Sequence, residues 1–193
     1  MARVGYKQTV RRAVLFDQLV ALFLADGFST LTLDDIAARL RCSKSTLYTL
    51  ASSKDELVRA ATVHFFRAAT ENVEAAVAAA GGRAQDRISA YLLAVGDQLA
   101  PASERFMDDL AGASSARAVY EQNTAIAAER VRQLITDGVA TGEFRSVHAE
   151  FVADVVSSTM VRIQQRAVAR VTGLDDARAY RELAGLITAA VAA

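Results

Sequence analysis

The sequence predicts an all-α protein in which a small N-terminal helix-turn-helix domain is followed by a larger helical domain. Three observations carry that expectation. Alanine is abundant while proline occurs once and tryptophan not at all. Apolar residues recur at i, i+3, i+4 and i+7 rather than in the alternation a strand needs. Hydroxyl residues and glycines stand where helices would start and stop. With 52% hydrophobic and 23% charged residues, the 193-residue chain has ample material for a packed core, which excludes wholesale disorder.

The first helix is expected from about Val10 to Asp26, with Gly27 as its left-handed C-terminal stop. Thr32 opens a second, and Asp35 three residues on gives the arrangement of a capping box. Leu33, Ile36, Ala37 and Leu40 make its buried stripe, and it ends at Arg41-Cys42. Ser43 caps a third helix, Lys44 to about Leu50, which turns Leu47 inward and leaves Lys44, Ser45, Tyr48 and Thr49 outward. Two short helices joined by a tight turn, the second with a polar outer face, form a helix-turn-helix. Longer helices follow over 53–80, ended by Gly81-Gly82; 84–100, ended by Pro101; a shorter one to about Ala111; then 113–141, 148–171 and 175–191. Ile88, Tyr91, Leu92, Val95 and Leu99 line one inward face. The domain boundary is placed so that 1–53 binds nucleic acid and 54–193 does the rest.

Charge supports that division. Net charge is zero overall, yet residues 1–60 hold nine basic groups against six acidic ones, a balance of +3, and include all three lysines. A basic N-terminal footprint points to a phosphate backbone.

The stretch IAARLRCSKSTLYTLASSKDEL, Ile36 to Leu57, resembles the signature of the TetR family of bacterial transcriptional regulators. It has the I-A pair, the turn ending in serine, the T-L-Y triplet and the S-K-D-E-L run at that family's spacing. Upstream, RRAVLFDQLVALFLADGF is similar to the family's first helix. The resemblance covers roughly residues 10 to 60 and implies a homodimeric regulator, released from a palindromic operator by a small-molecule effector. Two departures stand out. Arg41 occupies a turn position where glycine is usual, at a cost of up to about 1 kcal/mol if the backbone there is left-handed. Ala51 replaces the aromatic residue that usually follows the tyrosine by three positions.

A recognition helix in the major groove offers its N-terminal residues to base edges while flanking groups fix register on phosphates. Lys44 can donate to guanine O6 or N7, and Ser45 and Thr49 to several edges. Tyr48, Thr46, Lys54 and the N-cap Thr32 resemble the family's backbone-contacting positions; Ser43 caps the reading helix, and Arg41, Lys7, Arg11 and Arg12 are further phosphate candidates. Each has a plainer alternative: Tyr48 as a half-buried core aromatic, Lys54 as a solvated lysine at a helix start, Cys42 as a small buried hydrophobe.

Between Phe151 and Ile163 only Asp154 and Arg162 are charged, so the 148–171 helix needs cover on two sides. Core burial supplies one cover, and a second subunit is expected to supply the other through Val152, Val156, Met160 and Ile163 with Leu183, Leu186 and Ile187 of the last helix. Tyr91, Phe106, Met107, Tyr120 and Asn123 are expected to line a cavity for an apolar or amphipathic effector, the same spacing being equally that of plain core.

Other classes find little support. There is no G-x-S-x-G, Walker A or H-E-x-x-H pattern, and His64 and His148 lie on separate helices, so neither an enzyme nor a metal or other cofactor is expected. Asp17 and Gln18 break the N-terminal apolar stretch short of a signal or a membrane span, and the single Cys42 suits a reducing compartment, so a cytoplasmic location is expected. The competing reading is a helical dimer acting through protein partners with a vestigial helix-turn-helix.

Overall fold

The computed structural model describes residues 2–192, with side chains from Arg11 onward. These residues form ten helices: α1 (Ala2–Asp26), α2 (Leu33–Arg39), α3 (Lys44–Tyr48), α4 (Lys54–Ala79), α5 (Ala84–Leu99), α6 (Glu104–Gly112), α7 (Ser114–Ala140), α8 (Ala149–Gln164), α9 (Ala167–Thr172) and α10 (Asp176–Val191). No strand occurs among the described residues, only an isolated antiparallel bridge from Phe144 to Ala192. The all-α class is as the sequence predicts. Helix α1 begins earlier than Val10, at Ala2.

The helix expected over 148–171 is two helices. Arg166 takes a left-handed conformation (φ 60°), which ends α8 and restarts the chain as α9. Such a conformation costs a non-glycine residue about 1–2 kcal/mol. Here the bend brings the Arg166 guanidinium onto Asp176, and both side chains are buried. A buried carboxylate without its cation would cost more than the bend, so the pair holds the break in place.

The chain divides into two compact units. Unit 1 comprises the described residues up to Phe66 together with Ala102–Val119; unit 2 comprises Arg67–Pro101 and the residues from Tyr120 onward. The sequence-based boundary at residue 53 falls between α3 and α4, whereas α4 contributes residues to both units.

Unit 1 is built on Leu19, Phe23, Ile36, Leu47 and Leu57, all almost fully buried. Phe106 from α6 sets its edge against Phe28 (6.1 Å between ring centroids) and Phe65 (6.0 Å), so α6 completes this core. Phe106 and Met107, expected at an effector cavity, are therefore core residues of unit 1, each 2% exposed. Gly27 ends α1 at φ 72°, as its position predicts; a Cβ there would also lie 2.6 Å from Arg105 Cγ and from Asp109 Oδ2.

Unit 2 centres on the packing of α10 along α5. Gly96 permits the approach: a Cβ at this position would lie 3.0 Å from the Ala177 carbonyl oxygen and 3.3 Å from Tyr180 Cβ. The inner face of α8, with Ala153, Val156, Met160 and Ile163, closes the same core, as do Leu183 and Ile187 of α10. Those residues consequently have no surface left for a second subunit, which corrects the expectation for Val156, Met160, Ile163, Leu183 and Ile187. Val152 is half-buried. The large apolar side chains that α8 and α10 do expose are Phe151 (67%), Val155 (42%), Val161 (38%) and Leu186 (68%). The helical period is the one the sequence predicts, but the stripe expected to face outward is the one that faces inward.

Several polar groups in this core are partnered. The Tyr91 hydroxyl donates to the Ala127 carbonyl (3.3 Å), and Arg130 forms a bidentate pair with Glu74 (2.8 and 2.9 Å). Burial pushes the hydroxyls of Tyr91, Tyr120 and Tyr180 well above the usual tyrosine range, so they stay neutral.

Candidate nucleic-acid interface

Short helices need strong ends, and α2 and α3 have them. Thr32 caps α2: its hydroxyl accepts from the Asp35 N–H (3.2 Å), and the Asp35 carboxylate accepts from the Thr32 N–H (2.8 Å), closing the capping box. Hydrogen bonds from the Thr32 hydroxyl and N–H hold the Asp35 carboxyl below its ordinary range. Ser43 caps α3 by accepting from the Thr46 N–H (3.2 Å), and its hydroxyl also lies 2.7 Å from that of Ser45 and 2.9 Å from that of Thr46. The five-residue α3 thus starts from a network of three hydroxyls.

Between the caps the turn is made by Arg41 at φ 50°, the left-handed conformation for which glycine is the usual residue. The strain anticipated from the sequence is present. Cys42 is half-buried and donates its N–H to the Ala37 carbonyl (2.9 Å), which locks the α2–α3 corner.

Leu47 faces the core at 1% exposure, and Lys44, Ser45, Tyr48 and Thr49 face outward. Tyr48 is 53% exposed, so the core-aromatic alternative for it fails. Thr46 is half-buried and its backbone carbonyl accepts from the Thr49 hydroxyl (2.6 Å). Lys44 forms an ion pair with Asp34 of α2 (2.7 Å), which raises the lysine's pKa. That carboxylate is a feature of the surface that sequence reasoning misses; an acid at the second position of α2 looks like ordinary helix-dipole chemistry until its neighbour is known.

Lys54, at the first position of α4, is not a free solvated cation. Its ammonium donates to the Ser29 carbonyl (2.8 Å), across the α1–α2 corner. The same corner is gripped from α6, since the Asp109 carboxylate accepts from the N–H groups of Phe28 (2.6 Å) and Ser29 (2.9 Å). Asp109 is a second residue missed in the sequence, for nothing in its local pattern points 80 residues back.

Of the arginines at the N-terminal arm, Arg11 is exposed. Arg12 is folded back, donating to the Leu50 carbonyl (3.4 Å) with its guanidinium over the Phe16 ring. The side chain of Lys7 lies outside the described residues. The effector candidates Tyr91 and Tyr120 are buried in unit 2, and Asn123 there is half-buried. Among the described residues no group of three or more His, Cys, Asp or Glu could hold a metal ion, and no helix is long and apolar enough to cross a membrane.

Residues 15–61 match the family model described as bacterial regulatory proteins, tetR family. No curated protein sequence matches the chain. Solved structures do share its fold. A protein assigned as a transcriptional regulator of Saccharomonospora viridis, in complex with choline, aligns with a TM-score of 0.71 at 16% identity over 97% of this chain and 99% of that one. The TetR-family regulator PfmR of Thermus thermophilus aligns with a TM-score of 0.58 at 20% identity, covering 91% and 97%. The ketosteroid regulator KstR2 of Mycobacterium tuberculosis gives 0.60 at 15%, covering 95% of each chain. At these identities the likeness is one of fold.

Proposed function

We propose that this chain, whose residues 15–61 match the tetR family of bacterial regulatory proteins, is a homodimeric repressor of that family that leaves a palindromic operator when a small molecule binds unit 2. The observation that carries the reading is the outer face of α3, where Lys44, Ser45, Tyr48 and Thr49 stand exposed on a capped helix whose opposite side is anchored by Leu47. Lys44, Ser45 and Thr49 read base edges; Tyr48, Thr32, Thr46 and Arg41 meet phosphates; Ser43 holds the helix end that carries them. Lys54 exchanges the Ser29 carbonyl for a phosphate oxygen, which costs one neutral acceptor and gains a charged one.

Dimerisation is assigned to the large apolar side chains exposed on α8 and α10, Phe151, Val155 and Leu186 among them, together with the half-buried Val152. Two copies of a DNA-binding unit related by a two-fold axis meet successive major grooves roughly 34–36 Å apart. The effector reading rests on the buried tyrosines Tyr91 and Tyr120 of unit 2 with the half-buried Asn123, and on the small ligand held by a regulator of the same fold. An apolar or amphipathic molecule suits such surroundings. A coupling of about 1–3 kcal/mol would lower operator affinity roughly 5- to 150-fold, and operator must weaken effector binding by the same factor.

The test begins with selection of bound fragments from the source genome. Lys44→Ala should then lose preference at one base pair per half-site, by about 1–3 kcal/mol, while Lys54→Ala weakens operator and scrambled duplex alike. Equal loss on both duplexes for Lys44→Ala removes the base-reading role.

A further inference from the structure

The least expected group on the α2–α3 surface is a carboxylate. Asp34 is 75% exposed and sits 2.7 Å from the ammonium of Lys44, whose side chain is 47% exposed. It has no part in capping α2, because Thr32 and Asp35 complete the box between them. An exposed ion pair contributes little to stability, because water and salt screen it. Against a polyanion it is a handicap, since it cancels a cation that would otherwise add to phosphate attraction.

Donor counting gives the pair a use. The Lys44 ammonium carries three N–H donors; Asp34 occupies one, and two remain, matching O6 and N7 of one guanine. The Asp34 carboxylate accepts one of about four possible bonds, and only one base displays a lone donor in the major groove, cytosine through its N4 amine. The pair presents donors and acceptors side by side within a few ångströms, complementary to the major-groove edges of a guanine and a cytosine at adjacent positions.

We propose that Asp34 is a specificity-determining residue, accepting from a cytosine N4 amine beside the guanine that Lys44 contacts, and withholding Lys44 from phosphates on other sequences. This rests on α3 entering the major groove as proposed above. Asp34 acts twice: it rewards the correct base, and it lowers the affinity for every incorrect one.

The experiment uses the full-length protein and a randomised duplex library sequenced after selection. The wild type should select cytosine next to guanine in each half-site. Asp34→Ala should lose that cytosine preference by roughly 5- to 150-fold while binding random duplex more tightly. The dependence of log affinity on log salt should steepen by about 0.9 for each protomer, because Lys44 is released to a phosphate. Asp34→Asn should move the preferred base from cytosine to adenine, whose N7 and N6 fit an amide. An Asp34→Ala protein with the wild-type base preference at every position overturns the proposal, as does an equal loss on operator and random duplex. Either result leaves the DNA-binding reading intact. A wild-type protein that selects no sequence, with Lys44→Ala indistinguishable from it, overturns that reading and this one together.

Discussion

Replacing Asp109 by alanine tests whether α6 is a structural part of the DNA-binding unit. The Asp109 carboxylate accepts two backbone bonds at the α1–α2 corner, from Phe28 (2.6 Å) and Ser29 (2.9 Å), and it is half-buried. Hydrogen bonds to a charged group contribute roughly 1.5–3 kcal/mol each; partial exposure puts these at the low end, so the two together hold the corner by about 2–3 kcal/mol. The loss is local, and amide hydrogen exchange reads it locally. Protection of the Phe28 and Ser29 amides should fall about 30- to 150-fold in Asp109→Ala, since a tenfold change corresponds to about 1.4 kcal/mol. Asp109→Asn keeps an acceptor oxygen without the charge and should lie between. Unchanged protection of both amides, with Phe106 still packed on Phe28, would refute the reasoning, for it would mean that water serves the corner equally well.

Arg41→Gly should raise stability by up to about 1 kcal/mol, read by urea denaturation, as left-handed strain at φ 50° is relieved. The same variant should flatten the salt dependence of DNA binding by about 0.9 in slope if Arg41 meets a phosphate. Phe151→Asp combined with Leu186→Asp should give a monomer by light scattering at micromolar concentration, because both side chains are exposed in the single chain and neither supports its core. Acid should loosen the start of α2. The folded pKa of Asp35 lies below its ordinary value, so its contribution is present in full at neutral pH and disappears as the pH falls through the carboxylate range. Helicity measured from neutral pH down through that range should therefore fall earlier in the wild type than in a variant with Asp35→Asn, which has no carboxyl to protonate there.

The helix-turn-helix is legible in the sequence because its signals are local. Thr32 with Asp35 and Ser43 with Thr46 are capping partners three residues apart, and the pattern Leu33, Ile36, Ala37, Leu40 lies along one helix and its cap. Even the left-handed Arg41 is visible as an exception to a turn rule. What escapes depends on tertiary neighbours. Arg166 breaks the long helix without glycine or proline, for the sake of an ion pair with a residue ten positions on. Phe106 looks the same whether it lines a cavity or packs edge-to-face with Phe28, and only the fold of α6 decides. The inward and outward faces of α8 are both apolar, so its periodicity yields two stripes with nothing local to say which one is core.

The grip of α6 on the α1–α2 corner also sets a clock. Phe28 and Asp109 are 81 positions apart. At a synthesis rate of about 5–20 residues per second, the corner waits roughly 4–16 s for its carboxylate after Phe28 has been made. In the later part of that interval the residues of the matched 15–61 segment all exist, yet Phe28 and Phe65 lack Phe106, and the Phe28 and Ser29 amides lack their carboxylate acceptor. The intervening residues 67–101, which belong to unit 2, leave the ribosome first. Completion of unit 1 is thus a late event in the life of each new chain, reached only after part of the other unit has been translated.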